Sequence, residues 1–316
     1  MKAAIVPCAL FALAASPAAI AQVKVTPAED HIAIEIGGQP FGDLLFGPSV
    51  WKPYLWPLRS ASGKIVVRRF PMVKDVPGEP HDHNHQRGLW FGHGDVNGFD
   101  FWSTDPLNPP NPKFGKISLE KVVSTKSGQD AGSLAVIFDW KDPAGKVLLT
   151  EQRTMTFRAD AASRIIDVDL TLTPKEKVVF GDTKEGTFGL RLAAPLQEQK
   201  GSGHMVNAEG AQGEKAVWGK PSEWVDYCGT LDGEALGIAI FDHPRNPRHP
   251  VRWHARGYGL FAANPFGLAE FLNDKSKNGA MTIEPGQTLQ FRYRVVIHPG
   301  DVNSARIADL YKEWAR

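Results

Sequence analysis

Net charge, cysteine and long apolar segments are all scarce in this chain of 316 residues. The formal net charge of +1 gives no electrostatic reason to expect nucleic acid as a partner. No apolar segment reaches the roughly 20 residues of a membrane-spanning helix, so no membrane span is expected. Two cysteines, Cys8 and Cys228, are too few for a disulfide framework or a zinc site made of several thiolates. Stability must therefore come from a hydrophobic core, which a 42% content of hydrophobic residues can supply.

The first 21 residues have the features of an export signal. Lys2 provides a positive start, and the apolar run Ala3–Ala15 follows it. Ala19-Ile20-Ala21 then matches the small-residue rule of a cleavage site. We expect cleavage near Ala21 and a periplasmic or secreted protein of residues 22–316 that forms a single domain and retains one cysteine.

Alternation of apolar and polar residues predicts an all-β protein. The clearest alternating segments are Leu134–Trp140, Val147–Phe157, Ile165–Thr173 and Thr288–His298. Turns at 142–145 and 160–163 would join the first three segments into a meander. Another predicted hairpin consists of Glu223–Thr230 and Leu236–Phe241.

Helical spacing is confined to the end of the chain. It involves Ile307, Leu310, Tyr311 and Trp314, after a predicted cap at Asn303 or Ser304. Because strands and helices do not alternate, a parallel α/β fold is not expected. We predict a large antiparallel β-sandwich with a short C-terminal helix.

Residues 81–105, HDHNHQRGLWFGHGDVNGFDFWSTD, combine many polar and aromatic side chains in a glycine-rich stretch, which is typical of a site for a polar ligand. Its candidate binding residues are His85, Arg87, His93, Asp95, Asn97 and Trp102. The planar charged fork of Arg87 suits a carboxylate or vicinal hydroxyls, unless it forms an ion pair with Asp95 or Asp100. Trp102 can stack on a sugar ring, unless it packs in the core.

The histidines of this segment also allow a metal site. In an extended 81–85 segment, His81, His83 and His85 would lie on one face, and His93 could complete the set. Clustered neutral imidazoles bind zinc, iron, manganese or copper. Alternatively, they serve only as hydrogen-bonding groups around a site.

Two further clusters carry candidate site residues. Lys184, Glu185 and Arg191 lie in DTKEGTFGLR at 182–191, and His254, Arg256 and Asn264 lie in the segment 242–267. Glu185 precedes a predicted strand and has a cation beside it, so it is a plausible general base. In an extended 251–256 segment, His254 and Arg256 share a face opposite Trp253, which suits a polar cleft.

Five segments of the chain resemble the DUF6807 family. They are KPYLWPLRSASG at 52–63, DHNHQRGLWFGHGDVNGFDFW at 82–102, DTKEGTFGLRLA at 182–193, WHARGYGLFAANPFG at 253–267 and PGQTLQFRYRVVIHPG at 285–300. The resemblance implies a β-supersandwich similar to that of galactose mutarotases, and it points to carbohydrate by analogy only. The family pattern includes Asp82 and Asp100 as well as most of the residues named above. Here Gln86 replaces a usual histidine and His81 lies outside the pattern, so His83, His85 and His93 form the better metal set.

Three functions fit these observations. The first is an exported carbohydrate-active enzyme that transfers protons on a sugar or oligosaccharide, of the epimerase or lyase type. Glu185 would be its base, His83 or His254 its acid, and Arg87, Arg191 and Arg256 would hold hydroxyls, a carboxylate or an oxyanion. The second is a non-catalytic sugar-binding protein that uses the same residues. The third is a metal-dependent enzyme; the first two need no cofactor, but a divalent metal remains possible.

Overall fold

The computed structural model describes residues 22–159 and 162–316. The predicted export signal, including Cys8 and Ala21, and half of the predicted turn at 160–163 lie outside the described residues. Within them, no helix is long and apolar enough to cross a membrane.

Most of the regular secondary structure in the described residues is β-strand. In chain order the strands are β1 (Val23–Pro27), β2 (His31–Ile36), β3 (Gln39–Leu45), β4 (Tyr54–Trp56), β5 (Leu89–His93), β6 (Lys116–Lys126), β7 (Ala131–Lys141), β8 (Val147–Ala159), β9 (Arg164–Pro174), β10 (Val178–Phe180), β11 (Gly186–Arg191), β12 (His204–Asn207), β13 (Trp224–Leu231), β14 (Glu234–Asp242), β15 (Arg252–Ala255), β16 (Leu260–Asn264), β17 (Met281–Ile283) and β18 (Leu289–Pro299). The helices are short: α1 (Glu214–Val217), α2 (Leu268–Leu272) and α3 (Ile307–Trp314), with a 3-10 turn at Ala194–Leu196.

The strands form two large antiparallel sheets and one small ribbon. The front sheet has the order β1-β2-β3-β4-β5-β11-β16-β15, and the rear sheet has the order β12-β13-β14-β18-β9-β8-β7-β6. Strands β10 and β17 pair with each other. The predicted meander is confirmed, because β8 pairs with both β7 and β9 in antiparallel register. The predicted hairpin is confirmed by the pairing of β13 with β14.

Aromatic side chains join the two large sheets. Phe91 of β5 contacts Phe291 of β18 at 5.7 Å between ring centroids, and Phe188 of β11 stacks on Tyr293 of β18 at 4.4 Å. All four rings are buried in the main hydrophobic core. Since alternate residues of a strand point to opposite faces, Trp90 and Gly92 of β5 and Gly189 and Arg191 of β11 face away from this core. The predicted all-β antiparallel sandwich is thereby confirmed.

The predicted C-terminal helix is present as α3, which covers the outer face of the rear sheet. Ile307 and Tyr311 pack there against Trp224, Phe241 and Val296. The predicted cap at Asn303 or Ser304 is wrong, because the N-cap position is Arg306, which makes no side-chain cap. The Ser304 hydroxyl is instead 2.7 Å from the Asp301 carboxylate, in the turn that precedes the helix.

Candidate functional site

The outer face of the front sheet carries the predicted polar residues. Trp90, Gly189, Ala262 and His254 are successive cross-strand partners on β5, β11, β16 and β15, so they lie in one row on this face. A Cβ atom at Gly189 would lie 3.3 Å from the ring of Trp102, so the glycine lets that ring lie close to the sheet. Trp90 and Trp102 thus form an apolar floor together with Tyr54, Leu260 and Ala262.

In the loop before β5, main-chain carbonyls accept hydrogen bonds from one buried arginine, Arg68. The guanidinium of Arg68 donates to the main-chain carbonyls of Asp82 at 2.8 Å, His83 at 2.6 Å and Gln86 at 3.2 Å. Arg68 has no exposed surface, and burial lowers its pKa to about 10. The expectation of an extended 81–85 segment is therefore wrong: the loop curls toward these donors, and His83 has a φ of 44°. His81 is separated from the others and stacks on Phe70.

His83 and Asp82 lie at one end of the cleft. The ring of His83 stacks on Tyr258 at 5.6 Å and meets His85 edge-on at 5.7 Å. Its Nδ1 is 3.2 Å from Asp82 Oδ2. Burial alone would raise the pKa of Asp82, but the hydrogen bond from His83 and the charge of Arg191 lower it to about 2. His83 is 42% exposed, so it combines a fixed carboxylate partner with access to solvent.

Arg191 is the charged group beneath these rings. It is fully buried, and its guanidinium lies 4.4 Å from the centroid of Tyr258. One amino group donates to Gln86 Oε1. Nε and Nη2 have no hydrogen-bond partner among the described residues, although Nη2 is 3.6 Å from the Asp82 carboxylate. Arg191 therefore has two donors without a partner, but neither is exposed to solvent.

Lys52 is a site residue that the sequence analysis missed. It is 5% exposed, donates to the carbonyl of Trp102 and lies 5.2 Å from the ring of Trp90. Burial lowers its pKa to about 7, although the charges of Asp100 and Asp105 act in the opposite direction. An amine with this pKa can both accept and donate a proton near neutral pH. A lysine before a proline gives no sequence signal of such burial, although Lys52 begins one of the family-like segments.

Glu185 lies at the entrance of β11, where its carboxylate is 3.5 Å from the Lys184 ammonium. Burial raises the pKa of its carboxyl group, against the opposing charge of Lys184. The carboxylate of Glu185 also acts electrostatically on Lys52 and on Tyr258. Glu185 is thus within electrostatic range of two residues of the cleft.

His254 lies in the same cross-strand row as Gly189, but its side chain is enclosed. It is 3% exposed, and its Nδ1 has no hydrogen-bond partner among the described residues. Burial, reinforced by the charges of Arg256 and Lys184, lowers its pKa to about 3. His254 is therefore an uncharged imidazole at neutral pH and has no imidazolium proton to donate, which leaves His83 as the better placed of the two predicted acids.

A family model that matches most of the chain identifies its family. A family model described as a family of unknown function, DUF6807, matches residues 31–312. The chain belongs to DUF6807. The predicted family is confirmed, and no curated protein matches the sequence significantly.

Solved structures with a similar fold are distant from this DUF6807 chain. A galactose mutarotase-like protein from Clostridium acetobutylicum is 13% identical, with a TM-score of 0.43 and coverage of 89% of this chain and 99% of that one. An alpha-galactosidase from Lactobacillus brevis is 10% identical, with a TM-score of 0.44 and coverage of 90% and 40%. A GH36 alpha-galactosidase from Geobacillus stearothermophilus is 10% identical, with a TM-score of 0.43 and coverage of 88% and 40%. The chain thus spans about two fifths of these alpha-galactosidases, and the TM-scores are low, so the fold rests on the two sheets themselves.

Two predicted binding residues of this DUF6807 chain are enclosed. Trp102 has no exposed surface, so it supports the floor and offers no face for stacking. His93 points to the core face of β5, where it lies between Phe180 and Phe266, and burial lowers its pKa to about 4. The sheet therefore separates His93 from His83 and His85. Within residues 22–159 and 162–316 these three histidines do not form a group that could hold a metal.

Other predicted binding residues form ion pairs or hydrogen bonds with neighbouring residues of the protein. Arg87 pairs with Asp105 at 2.6 Å, and not with Asp95 or Asp100 as the sequence suggested. Further framework contacts are those of Asp95 with the Gly98 amide, Asn97 with Val179, Lys184 with Glu270, Arg256 with Glu214, and Asn264 with Thr183. Asp82, Gln86 and Tyr258, which were outside the predicted set of binding residues, lie within the cleft.

Proposed function

We propose that this DUF6807 protein is an exported enzyme that transfers protons on a sugar, by epimerisation or by elimination beside a carbonyl. The observation that carries the proposal is that two groups with shifted pKa values, Lys52 with a pKa of about 7 and Glu185 with a raised pKa, lie close enough to interact electrostatically. Burial shifts both pKa values toward neutrality. Groups shifted in this way are typical of acid–base catalysis.

Each charged group of the cleft has a part in this proposal. Glu185 removes a proton from the substrate, and His83 or Lys52 returns one. The buried Arg191 stabilises the developing oxyanion by its positive charge and not by direct contact. Tyr258, which is partly exposed and contacts both His83 and Arg191, holds the His83 ring in position for proton transfer.

Exchange of substrate hydrogen with deuterium oxide tests this proposal. A panel of sugars, uronic acids and oligosaccharides is incubated with the protein and followed by NMR, which detects a C–H bond exchanged by a base. Glu185→Gln should abolish exchange while binding is retained, because one positioned base contributes about 10²–10⁴-fold to the rate. The matched control is Glu284→Gln, which changes an exposed carboxylate paired with Lys177.

The outcomes separate the two leading functions. Exchange by the wild type and by Glu284→Gln, but not by Glu185→Gln, supports the enzyme. Equal rates in all three proteins remove Glu185 from the mechanism. A sugar that binds without exchange or chemical change in the wild type favours the non-catalytic binding protein instead.

A further inference from the structure

A second cluster of polar side chains lies on the outer face of the rear sheet, separate from the cleft. Asp226 and Cys228 belong to β13 and His298 belongs to β18, and their exposed fractions are 1%, 4% and 1%. One ligand atom from each of the three lies within 4.8 Å of the other two. No part of the proposed mechanism uses them.

The strand register explains why these side chains meet. Cys228 is opposite Gly237 of β14, and Gly237 is opposite His298, so the three positions form a row across adjacent strands. A Cβ atom at Gly237 would lie 2.8 Å from Cys228 Sγ and 2.5 Å from His298 Nε2. The thiol and the imidazole therefore meet in the space that any larger residue would fill.

The hydrogen bonds of His298 resemble those of a metal-binding histidine. Its Nδ1 is 3.0 Å from the carbonyl of Pro299, and its Nε2 is 3.1 Å from Asp226 Oδ1. Cys228 Sγ is 3.0 Å from the other oxygen of Asp226. A histidine that ligates a metal through one nitrogen usually donates its other N–H to a carbonyl, which fixes the ring orientation. Here the Pro299 carbonyl fixes Nε2 toward the carboxylate and the thiol.

We propose that Asp226, Cys228 and His298 bind a zinc ion, with His204 as the fourth ligand. His204 of the edge strand β12 is directly opposite Cys228, so its side chain is on the same face, and it is exposed. Zinc prefers four ligands of mixed nitrogen, sulfur and oxygen type, with bonds of about 2.0–2.3 Å. To supply the fourth ligand, the exposed His204 imidazole would turn toward the buried triad from the neighbouring strand.

Zinc would replace protons in this cluster. Without metal, both nitrogens of His298 face acceptors and therefore carry protons, and the Cys228 thiol donates to Asp226. Binding should release about two protons, one from Cys228 and one from His298, so affinity should rise with pH. The bound ion would connect β12 and β13 to β18, just before the turn that leads into α3.

Metal titration of the full chain without an affinity tag tests this inference independently of the sugar experiments. After treatment with a chelator, calorimetry with Zn²⁺ in buffers of different ionisation enthalpy should show about one ion bound and about two protons released per chain. Cys228→Ser should weaken binding about 100-fold or more and His204→Ala about 10-fold. His31→Ala, a change at a histidine of β2 in the other sheet, should leave binding unchanged.

A second measurement does not depend on whether the variants fold. Co²⁺ added to the unsubstituted chain of residues 22–316 should give the near-ultraviolet charge-transfer absorption of a thiolate ligand, since Cys228 is the one cysteine in that part of the sequence. Absence of that band, or equal Zn²⁺ affinity in the wild type and Cys228→Ser, overturns the inference. Loss of binding in a His83→Ala variant alone would also overturn it, because the ion would then bind in the cleft.

Discussion

Replacing Lys52 by methionine should stabilise the protein and inactivate it. The pKa of Lys52 falls from 10.5 to about 7 on burial, which corresponds to roughly 5 kcal/mol of destabilisation at low pH, at 1.36 kcal/mol per pH unit. Methionine keeps most of the side-chain length without a charge. It loses the hydrogen bond to Trp102 and the contact with two indole rings, worth about 2–3 kcal/mol together. The expected net gain at pH 7 and below is therefore about 2 kcal/mol.

The pH dependence of this gain is the sharper test. The unfolded chain binds more protons at Lys52 than the folded chain between pH 7 and 10.5, so the stability contributed by this position rises with pH in that window. The advantage of Lys52→Met over the wild type should therefore be largest below pH 7 and shrink by about 1.4 kcal/mol per pH unit above it.

Urea unfolding at several pH values between 6 and 10 measures the difference. Lys177→Met is the matched control, because Lys177 is 62% exposed and pairs with Glu284 at the surface; its unfolding free energy should differ little from the wild type. A stability difference between Lys52→Met and the wild type that stays constant from pH 7 to 10 would refute the inference that Lys52 is buried with a lowered pKa.

Two further predictions concern the loop and the export signal. Arg68→Met should cost about 3–5 kcal/mol in urea unfolding, because it removes the donors of the Asp82, His83 and Gln86 carbonyls, of which that of Gln86 is buried. Arg69→Met at the exposed neighbour should cost little; equal effects of the two changes would contradict the role of Arg68. If residues 1–21 are an export signal, the protein recovered from outside the cytoplasm should have a mass that begins near Gln22, and recovery of the full chain there would contradict cleavage.

The strands were predictable because their pattern is local. In Arg164–Pro174 and Leu289–Pro299 every second side chain enters the core, and that alternation is visible in the residues themselves. The same reasoning puts Arg191 of β11 on the face opposite Phe188 and Leu190, which belong to the core. It failed at 81–85, since nothing in that segment shows that Arg68 donates to its carbonyls and bends it.

The candidate site was only partly predictable. Glu185 and His83 were identified from polar residues beside predicted strands, and both lie in the cleft. His93 was grouped with His83 because the two are close in sequence, but the position of His93 in β5 directs it to the opposite face. Lys52 was missed, since burial depends on Trp90 and Trp102, which reach it from other segments.

By itself the sequence determined an antiparallel β-sandwich, the chemical types in its polar segments and its family, because these follow from local alternation and from motifs. Only the tertiary structure decided which polar groups share a face, which arginines have partners and which acid–base groups are buried. Those properties depend on strand register and on desolvation by residues far apart in the chain, so the shifted pKa values of Lys52, Glu185 and His254 exist only in the folded protein.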